Sequence, residues 1–211
     1  MKLTILGATG GVGRYLVEHA LADGHRVTAV VRDPARLLVR DENLTVVRGN
    51  ALDAAAVKTA LNGADAVLSG MGASSRRDPL NPASTSARAA TEAMAATGVR
   101  RIVVVSAGPI NRSGAGQSFA VRRVFSPLLW AFLRDVYTDL ERMEGVLRES
   151  GLDWISVRPP RLLDKPGLGH YRHAIEAGPS GASIPRADVA RAMLDFLTEP
   201  ATVGHAVGVS S

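Results

Sequence analysis

Cysteine is absent from the chain, which excludes disulfide bonds, thiol nucleophiles and cysteine-ligated metal sites. Long apolar runs are also lacking, and no stretch reaches the length of a membrane-spanning helix. The apolar run that follows Met1 and Lys2 is too short for the hydrophobic region of a signal peptide. We therefore expect a cytoplasmic protein without a membrane partner.

Lysine and aromatic residues are both scarce. Of the 25 basic residues only those at positions 2, 58 and 165 are lysines, and aromatic residues make up 4% of the chain. The formal charge is +5, but the arginines are scattered and do not line one helix together with aromatic residues, as a nucleic-acid-binding module requires. We expect no nucleic-acid partner.

Apolar residues alternate between two patterns along the chain. Short runs rich in valine, isoleucine, leucine and alanine are apolar on both faces, as buried parallel strands are: 3–6, 27–31, 44–47, 66–68, 102–105, 154–157 and 206–209. Helical periodicity falls between them, at 12–22, 54–61, 83–96 and 128–149. This alternation predicts a single α/β domain over residues 1–211, built on a doubly wound parallel sheet. Residues 159–185, rich in proline, glycine and histidine, are expected to form a small C-terminal substrate lobe.

A cluster of glycines lies between the first predicted strand and the first predicted helix. Gly7 permits the tight turn, Gly10 lets a diphosphate approach the backbone, and Gly13 lets the helix pack closely on the strand. Unpaired N–H groups at the start of the helix would face the phosphates. The motif predicts a dinucleotide-binding turn.

Arg32 ends the second predicted strand, at the position where an NAD-preferring site carries an acidic residue for the ribose hydroxyls. A guanidinium there suits the 2′-phosphate of NADP, and Arg36 adds a second cation. Asp33 is the contrary signal, although it is also explained as a cap for the turn that follows. The balance predicts NADP(H) over NAD(H).

Two more strand ends carry candidate cofactor contacts, because ligands of open α/β sheets bind at the carboxyl ends of the strands. Asn50 and Ala51 follow the third strand, where an adenine ring is expected; Asn50 is equally well explained as a turn residue. Ser106 closes the fifth strand, where the nicotinamide is expected, although a serine at a strand end often bonds only to nearby backbone.

The fourth strand is followed by a glycine-containing run that lets the backbone lie along the ribose and the diphosphate. We assign Gly70, Met71 and Gly72 to this role. The polar residues 73–82 and 109–127 are expected to form the rim of the site, and whether 109–127 closes as a lid is left open.

Five segments together resemble one family, the atypical short-chain dehydrogenases/reductases, and within it the NAD(P)H-binding proteins grouped with flavin reductase/biliverdin-IXβ reductase and the NmrA-like regulators. They are GATGGVG (7–13), VVRDP (30–34), VVSA (104–107), LRESGLDWISVRPP (147–160) and IPRADVA (184–190). The resemblance implies a Rossmann fold that binds NADP(H). It also implies cofactor contacts from Thr9, Gly10, Gly11, Val12, Arg32 and Arg36, with Ser106 near the nicotinamide and Pro159 packed against that ring.

The chain departs from the family in its acid–base residues. Short-chain dehydrogenases normally pair a tyrosine with a lysine four residues later, which lowers the tyrosine pKa. No lysine lies between Lys58 and Lys165; Tyr137 is followed by Glu141, and Leu140 stands where relatives often carry lysine. Alcohol–ketone interconversion by that pair is therefore not expected.

Three functions remain open. The first is an NADPH-dependent reductase that passes hydride to a flavin-, quinone- or tetrapyrrole-like small-molecule acceptor, with Ser106, Tyr137 and Arg161 as candidate catalytic residues. Arg161 stands where flavin/biliverdin-reductase relatives carry a histidine, so it is expected to clamp an anionic group. The second is a non-catalytic NADP(H) sensor that binds a partner protein, as NmrA-like regulators do. The weakest is a sugar-nucleotide epimerase or dehydratase. No metal is expected, and the sequence leaves monomer or dimer undetermined.

Overall fold

The computed structural model describes residues 1–73, 75–111 and 126–211, with 126–128 described by their backbone alone. The predicted rim segment 109–127 therefore lies largely outside the described residues, and its action as a lid stays a prediction. Within the described ranges, no helix has the length and apolar character needed to cross a membrane.

Eight strands of the described ranges form one sheet in the order β3-β2-β1-β4-β5-β6-β10-β8. Neighbouring strands are parallel except at the edge, where β8 pairs with β10 in the antiparallel sense. The order reverses beside β1, between β1 and β4, which is where open α/β sheets bind ligands. The strands are β1 (Lys2–Leu6), β2 (Arg26–Val31), β3 (Leu44–Arg48), β4 (Ala66–Ser69), β5 (Arg101–Val105), β6 (Asp153–Arg158), β8 (Arg172–Ile175) and β10 (His205–Ser210).

Helices cover both faces of this sheet, which confirms the predicted doubly wound fold. The described helices are α1 (Gly13–Ala22), α2 (Ala54–Ala60), α3 (Pro82–Thr97), α4 (Ser126–Phe132), α5 (Arg134–Glu149) and α6 (Arg186–Asp195). On one face Ile5 of β1 shares a core with Leu16 of α1 and Val189 of α6. On the other face Leu6 shares a core with residues of α2, α3 and α5, among them Leu140. Consecutive β1 residues thus bury opposite faces, as a central parallel strand requires.

Two features differ from the sequence prediction. The helix expected over 128–149 is two helices, α4 and α5, separated at Leu133, whose backbone is not helical. The sequence pattern also missed α6, the helix that carries Val189 and covers the sheet beside α1.

The segment predicted as a substrate lobe contains three short strands. Two of them, β7 (Arg161–Leu163) and β9 (Ser183–Pro185), form a small parallel sheet of their own. The third, β8, extends the main sheet. Residues 159–185 are therefore tied to the main domain at its edge, and their role in substrate binding stays a prediction.

Candidate cofactor-binding site

The glycine turn after β1 packs directly against the end of β4. Gly7 has a left-handed backbone with φ of +76°, and a Cβ on it would lie 3.0 Å from the carbonyl carbon of Gly70. A Cβ on Gly13 would overlap the carbonyl oxygen of Gly7. A Cβ on Gly70 would lie 3.0 Å from the Gly13 nitrogen. The backbone of the turn, of the helix start and of the end of β4 therefore meet here without room for side chains, which is the close packing predicted for Gly13, and the left-handed Gly7 has the backbone that its predicted turn needs.

The turn presents backbone donors at the start of α1. The Gly10 N–H donates to the Gly7 oxygen at 2.9 Å and so closes the turn. Val12 is the N-cap residue, and no side chain among the described residues caps this terminus. The first N–H groups of a helix have no partner within the helix, so they remain available to an anion. Gly11 is exposed and Thr9 half-buried, while the Val12 side chain is buried; Val12 is suited to contribute its backbone rather than its side chain.

The end of β2 carries the two arginines predicted for the 2′-phosphate. Arg32 and Arg36 are exposed. Asp33 Oδ1 accepts a hydrogen bond from the Ala35 N–H at 3.1 Å and caps the 3-10 helix Pro34–Arg36. Asp33 therefore has the capping role that was the alternative explanation for it.

The residues after β3 and β4 line the same edge. Asn50 Oδ1 accepts from the Leu52 N–H at 3.2 Å, so Asn50 forms the turn that was the alternative explanation for it. Ala51 is buried. After β4, Met71 is half-buried and Gly72 is exposed, and a Cβ on Gly72 would meet nothing within 4 Å.

Ser106, at the end of β5, is held by a buried carboxylate. Its hydroxyl donates to Glu144 Oε1 at 3.0 Å, and the Ser156 hydroxyl donates to the same oxygen at 2.7 Å. Arg158 Nε donates to Oε1 at 2.9 Å and its Nη2 to Oε2 at 2.5 Å. Burial raises the pKa of Glu144, but the hydrogen bonds and charge of Arg158 outweigh it and hold that pKa below its ordinary value. The Ser106 hydroxyl thus donates its hydrogen to the ionised carboxylate, and the lone pairs of Ser106 Oγ are left to accept a hydrogen bond.

Tyr137 is buried rather than open to the site. Its side chain is 6% exposed, and its ring lies 5.3 Å from that of Trp130. Burial raises its pKa above the ordinary value, which makes the hydroxyl a poorer proton donor at neutral pH. Among the described residues, Tyr137 forms no hydrogen bond with Ser106 or Arg161.

Two residues after β6 lie at the same edge as Ser106. Pro159 is buried, and its carbonyl accepts from the Gly108 N–H at 2.7 Å, which joins the ends of β5 and β6. Arg161 is exposed at the start of β7. Its guanidinium is therefore open to solvent on the side where the acceptor was predicted.

Sequence reasoning missed two charged residues that shape this edge, Glu144 and Arg186. Glu144 lies three residues beyond Glu141 on α5, and its partners come from β5 and β6. Arg186, at the start of α6, lies against Gly11. A carboxylate on an apolar helix stripe was a signal for the first. The second lies in the segment IPRADVA (184–190) that carries part of the family resemblance, but that segment does not show that Arg186 contacts the glycine turn.

The chain also resembles known proteins along most of its length. A family model described as NAD(P)H-binding matches residues 7–200. The chain belongs to this NAD(P)H-binding family. The glycine turn, which leads into a helix start that no side chain of the described residues caps, fits the dinucleotide that the family binds.

Relatives of this NAD(P)H-binding protein include reductases. It is 32% identical to the (4-alkanoyl-5-oxo-2,5-dihydrofuran-3-yl)methyl phosphate reductase of Streptomyces griseus, over 99% of this chain and 67% of that one. Its fold matches the crystal structure of a putative NADH-flavin reductase from Streptococcus pneumoniae with a TM-score of 0.80 at 23% identity, covering 100% of this chain and 99% of that one. A short-chain dehydrogenase/reductase from Veillonella parvula in complex with NADP matches with a TM-score of 0.78 at 22% identity, covering 100% and 94%. The chain is therefore a member of an NAD(P)H-binding Rossmann group with named reductases among its relatives.

Proposed function

We propose that this protein is an NADPH-dependent reductase that passes hydride to a flavin-, quinone- or tetrapyrrole-like acceptor without a tyrosine–lysine pair. The observation that carries the proposal is the combination of a glycine turn, whose helix start has no side-chain cap among the described residues, with a buried Tyr137. The turn suits a dinucleotide diphosphate, whereas burial raises the Tyr137 pKa and makes its phenol a poor proton donor. Hydride transfer to a conjugated acceptor does not need a tyrosine as proton donor, because water can supply the proton.

In this proposal the chain's own residues bind the cofactor and orient it. Arg32 and Arg36 hold the 2′-phosphate, which selects NADPH. The N–H groups after Gly10 hold the diphosphate. Bound cofactor supplies the hydride, and the protein contributes position and exclusion of water.

Ser106 and Arg161 act on the reacting groups. Because the Ser106 proton is committed to Glu144, its oxygen accepts a hydrogen bond from the nicotinamide carboxamide or from the acceptor. Arg161 attracts an anionic acceptor but does not protonate it, because a guanidinium stays charged near neutral pH. With cofactor bound, the acceptor would be reduced by one hydride and one proton, and water would supply the proton because Arg161 does not.

Steady-state assays with NADPH test the reaction. The acceptor panel contains FMN, a quinone, a tetrapyrrole and an alkanoyl-butenolide phosphate, the last because the Streptomyces griseus relative is named for such a compound. We expect NADPH oxidation above the rate of free cofactor with at least one acceptor, at a higher kcat/KM than with NADH. Absence of turnover with every acceptor contradicts the proposal.

A non-catalytic NADP(H) sensor that binds a partner protein is the second candidate. The same burial of Tyr137, together with the engaged Ser106 hydroxyl, favours it over an epimerase or dehydratase, which needs an accessible tyrosine. A sensor binds NADP⁺ and NADPH without turning over any acceptor and co-purifies with a partner. Turnover with a purified acceptor excludes this candidate.

A further inference from the structure

Arg186, the first residue of α6, lies over the glycine turn. A Cβ on Gly11 would come within 2.6 Å of Arg186 Nε and 2.8 Å of its Cδ. The Arg186 side chain therefore occupies the space that a side chain at position 11 would take. Gly11 belongs to the backbone that is expected to hold the diphosphate, so the guanidinium lies next to the phosphate position.

The small sheet of β7 and β9 places Arg186 there. Leu163 and Pro185 are partners at the end of this parallel pair, so the next residues, Asp164 and Arg186, leave the pair on the same side. Arg186 Nη1 lies 2.7 Å from Asp164 Oδ1. The C-terminal segment thus delivers a cation to a turn at the other end of the chain.

Asp188 fixes the same region two residues further along, in the first turn of α6. Its carboxylate accepts hydrogen bonds from the Leu168 N–H at 2.8 Å and the Gly169 N–H at 3.1 Å, and the residue is buried. These bonds tie the loop after β7 to the first turn of α6. Arg186 is therefore anchored on a braced element rather than on a free loop.

The ion pair with Asp164 leaves donor capacity on Arg186. The Nη1 atom is close to the carboxylate but is not aligned with it, and this buried nitrogen has no hydrogen-bond partner among the described residues. The two side chains are also unequal, since that of Arg186 is 24% exposed and that of Asp164 is 73% exposed. An exposed carboxylate loses little free energy on returning to water, so Asp164 is readily replaced by a stronger anion.

We propose that Arg186 donates hydrogen bonds to the diphosphate of the bound nicotinamide cofactor and exchanges Asp164 for it. The proposal rests on the NAD(P)H-binding function and adds a cation from α6 to a site whose other donors are backbone N–H groups. A diphosphate carries more charge than a carboxylate, and a planar guanidinium bonds phosphate oxygens at two points. Arg186 then links cofactor binding to the segment 159–185.

The test is the affinity of purified variants for cofactor fragments, measured by calorimetry without any acceptor. The ligands are NADPH, NADH, ADP-ribose, which keeps the diphosphate, and adenosine 2′-phosphate, which has neither phosphate of the diphosphate. Arg186→Gln should weaken the binding of NADPH, NADH and ADP-ribose by about tenfold each, the loss of one charge-assisted hydrogen bond. It should change the affinity for adenosine 2′-phosphate by less than about twofold.

Two further variants sharpen the assignment. Asp164→Asn removes the competing anion and should tighten NADPH and NADH binding by about two- to threefold. Arg32→Gln should weaken the binding of NADPH and adenosine 2′-phosphate but leave the affinities for NADH and ADP-ribose unchanged, because it acts on the 2′-phosphate. Arg100→Gln removes the same charge at the amino ends of β5 and β6, where Arg100 pairs with Asp153, and should leave all four affinities unchanged.

Wild-type affinity of Arg186→Gln for NADH and ADP-ribose overturns the proposal, provided that thermal unfolding shows the variant to be folded. Equal loss of affinity for adenosine 2′-phosphate also overturns it, because the effect would then not depend on the diphosphate. If Arg186→Gln does not fold, Asp164→Asn decides: tighter binding supports the exchange, and unchanged or weaker binding contradicts it. Failure of the acceptor assays would overturn the proposed reductase while these binding results stand.

Discussion

Arg158 and Glu144 form a two-point ion pair beneath Ser106. The Glu144 side chain is 1% exposed and that of Arg158 10%, so the pair is withdrawn from water. Arg148 Nη2 also lies 2.7 Å from Glu144 Oε2, but its side chain is 50% exposed. The carboxylate thus has one buried and one solvated cation, and the two contribute differently to stability.

Removing the buried cation should be far more damaging than removing the solvated one. Arg158→Met leaves the buried Glu144 carboxylate with only the half-exposed Arg148 as a counter-ion, and we expect the free energy of unfolding to fall by about 3 kcal/mol. Arg148→Met is the matched control, with an expected loss below about 1 kcal/mol. Urea denaturation of both variants measures the difference. Equal losses would show that Arg158 is not the main partner of Glu144.

Acid should weaken the protein through Glu144. Its folded pKa lies below the ordinary value of 4.5 because the Arg158 interactions outweigh burial, so the unfolded chain takes up this proton first as the pH falls. The stabilisation is therefore complete above that value and is lost as the pH drops through the folded pKa.

The variant Glu144→Gln isolates this contribution. Unfolding free energies of the wild type and the variant, measured between about pH 7 and pH 3, should converge as the pH falls. A constant difference over this range would contradict the assigned direction of the pKa shift.

The glycine turn should not tolerate a side chain at its third glycine. A Cβ on Gly13 would overlap the Gly7 oxygen, so Gly13→Ala must shift the backbone. We expect the free energy of unfolding to fall by more than about 2 kcal/mol and NADPH binding to become too weak to measure. Gly145→Ala is the control, since Gly145 lies within α5 and its Cβ would meet nothing within 4 Å. That change should stabilise the protein by about 0.5–1 kcal/mol.

Asp33 should prove to be a cap and not a ribose ligand. Its carboxylate bonds the Ala35 N–H, so Asp33→Ala should leave NADH affinity within about twofold of the wild type and should not weaken NADPH binding. Fluorescence titration of both cofactors checks this. A drop of about tenfold in NADH affinity would instead indicate that Asp33 holds the ribose hydroxyls.

The sheet and the glycine turn were predictable because their signals are local. Buried parallel strands are apolar on both faces, and β1, β2 and β5 carry that pattern within a few residues. The turn at Gly7 likewise depends on neighbours in sequence. The helix α6 was missed because four charged residues interrupt its apolar pattern: Arg186, Asp188, Arg191 and Asp195. In the structure each of them has a hydrogen-bond or ion-pair partner.

The rest of the candidate site depends on contacts between distant segments. Ser106 was predicted as a site residue from its place at the end of β5, but the carboxylate that accepts its hydrogen bond comes from α5. Arg186 reaches Gly11 only because β7, β9 and α6 fold back against the turn. Tyr137 was a candidate by its place on the helix, and its burial follows from packing against Trp130.

The most direct test of the account is a single titration followed by one addition. NADPH and NADH are titrated against the fluorescence of Trp130 and Trp154, and FMN is then added to the NADPH complex without oxygen while the absorbance of NADPH is recorded. We predict tighter binding of NADPH than NADH, followed by NADPH oxidation matched by FMN reduction and faster than in free solution. Equal affinity for the two cofactors would contradict the assignment of Arg32 and Arg36. Tight NADPH binding with no oxidation by FMN, or by any other acceptor of the panel, would contradict the reductase and leave the sensor.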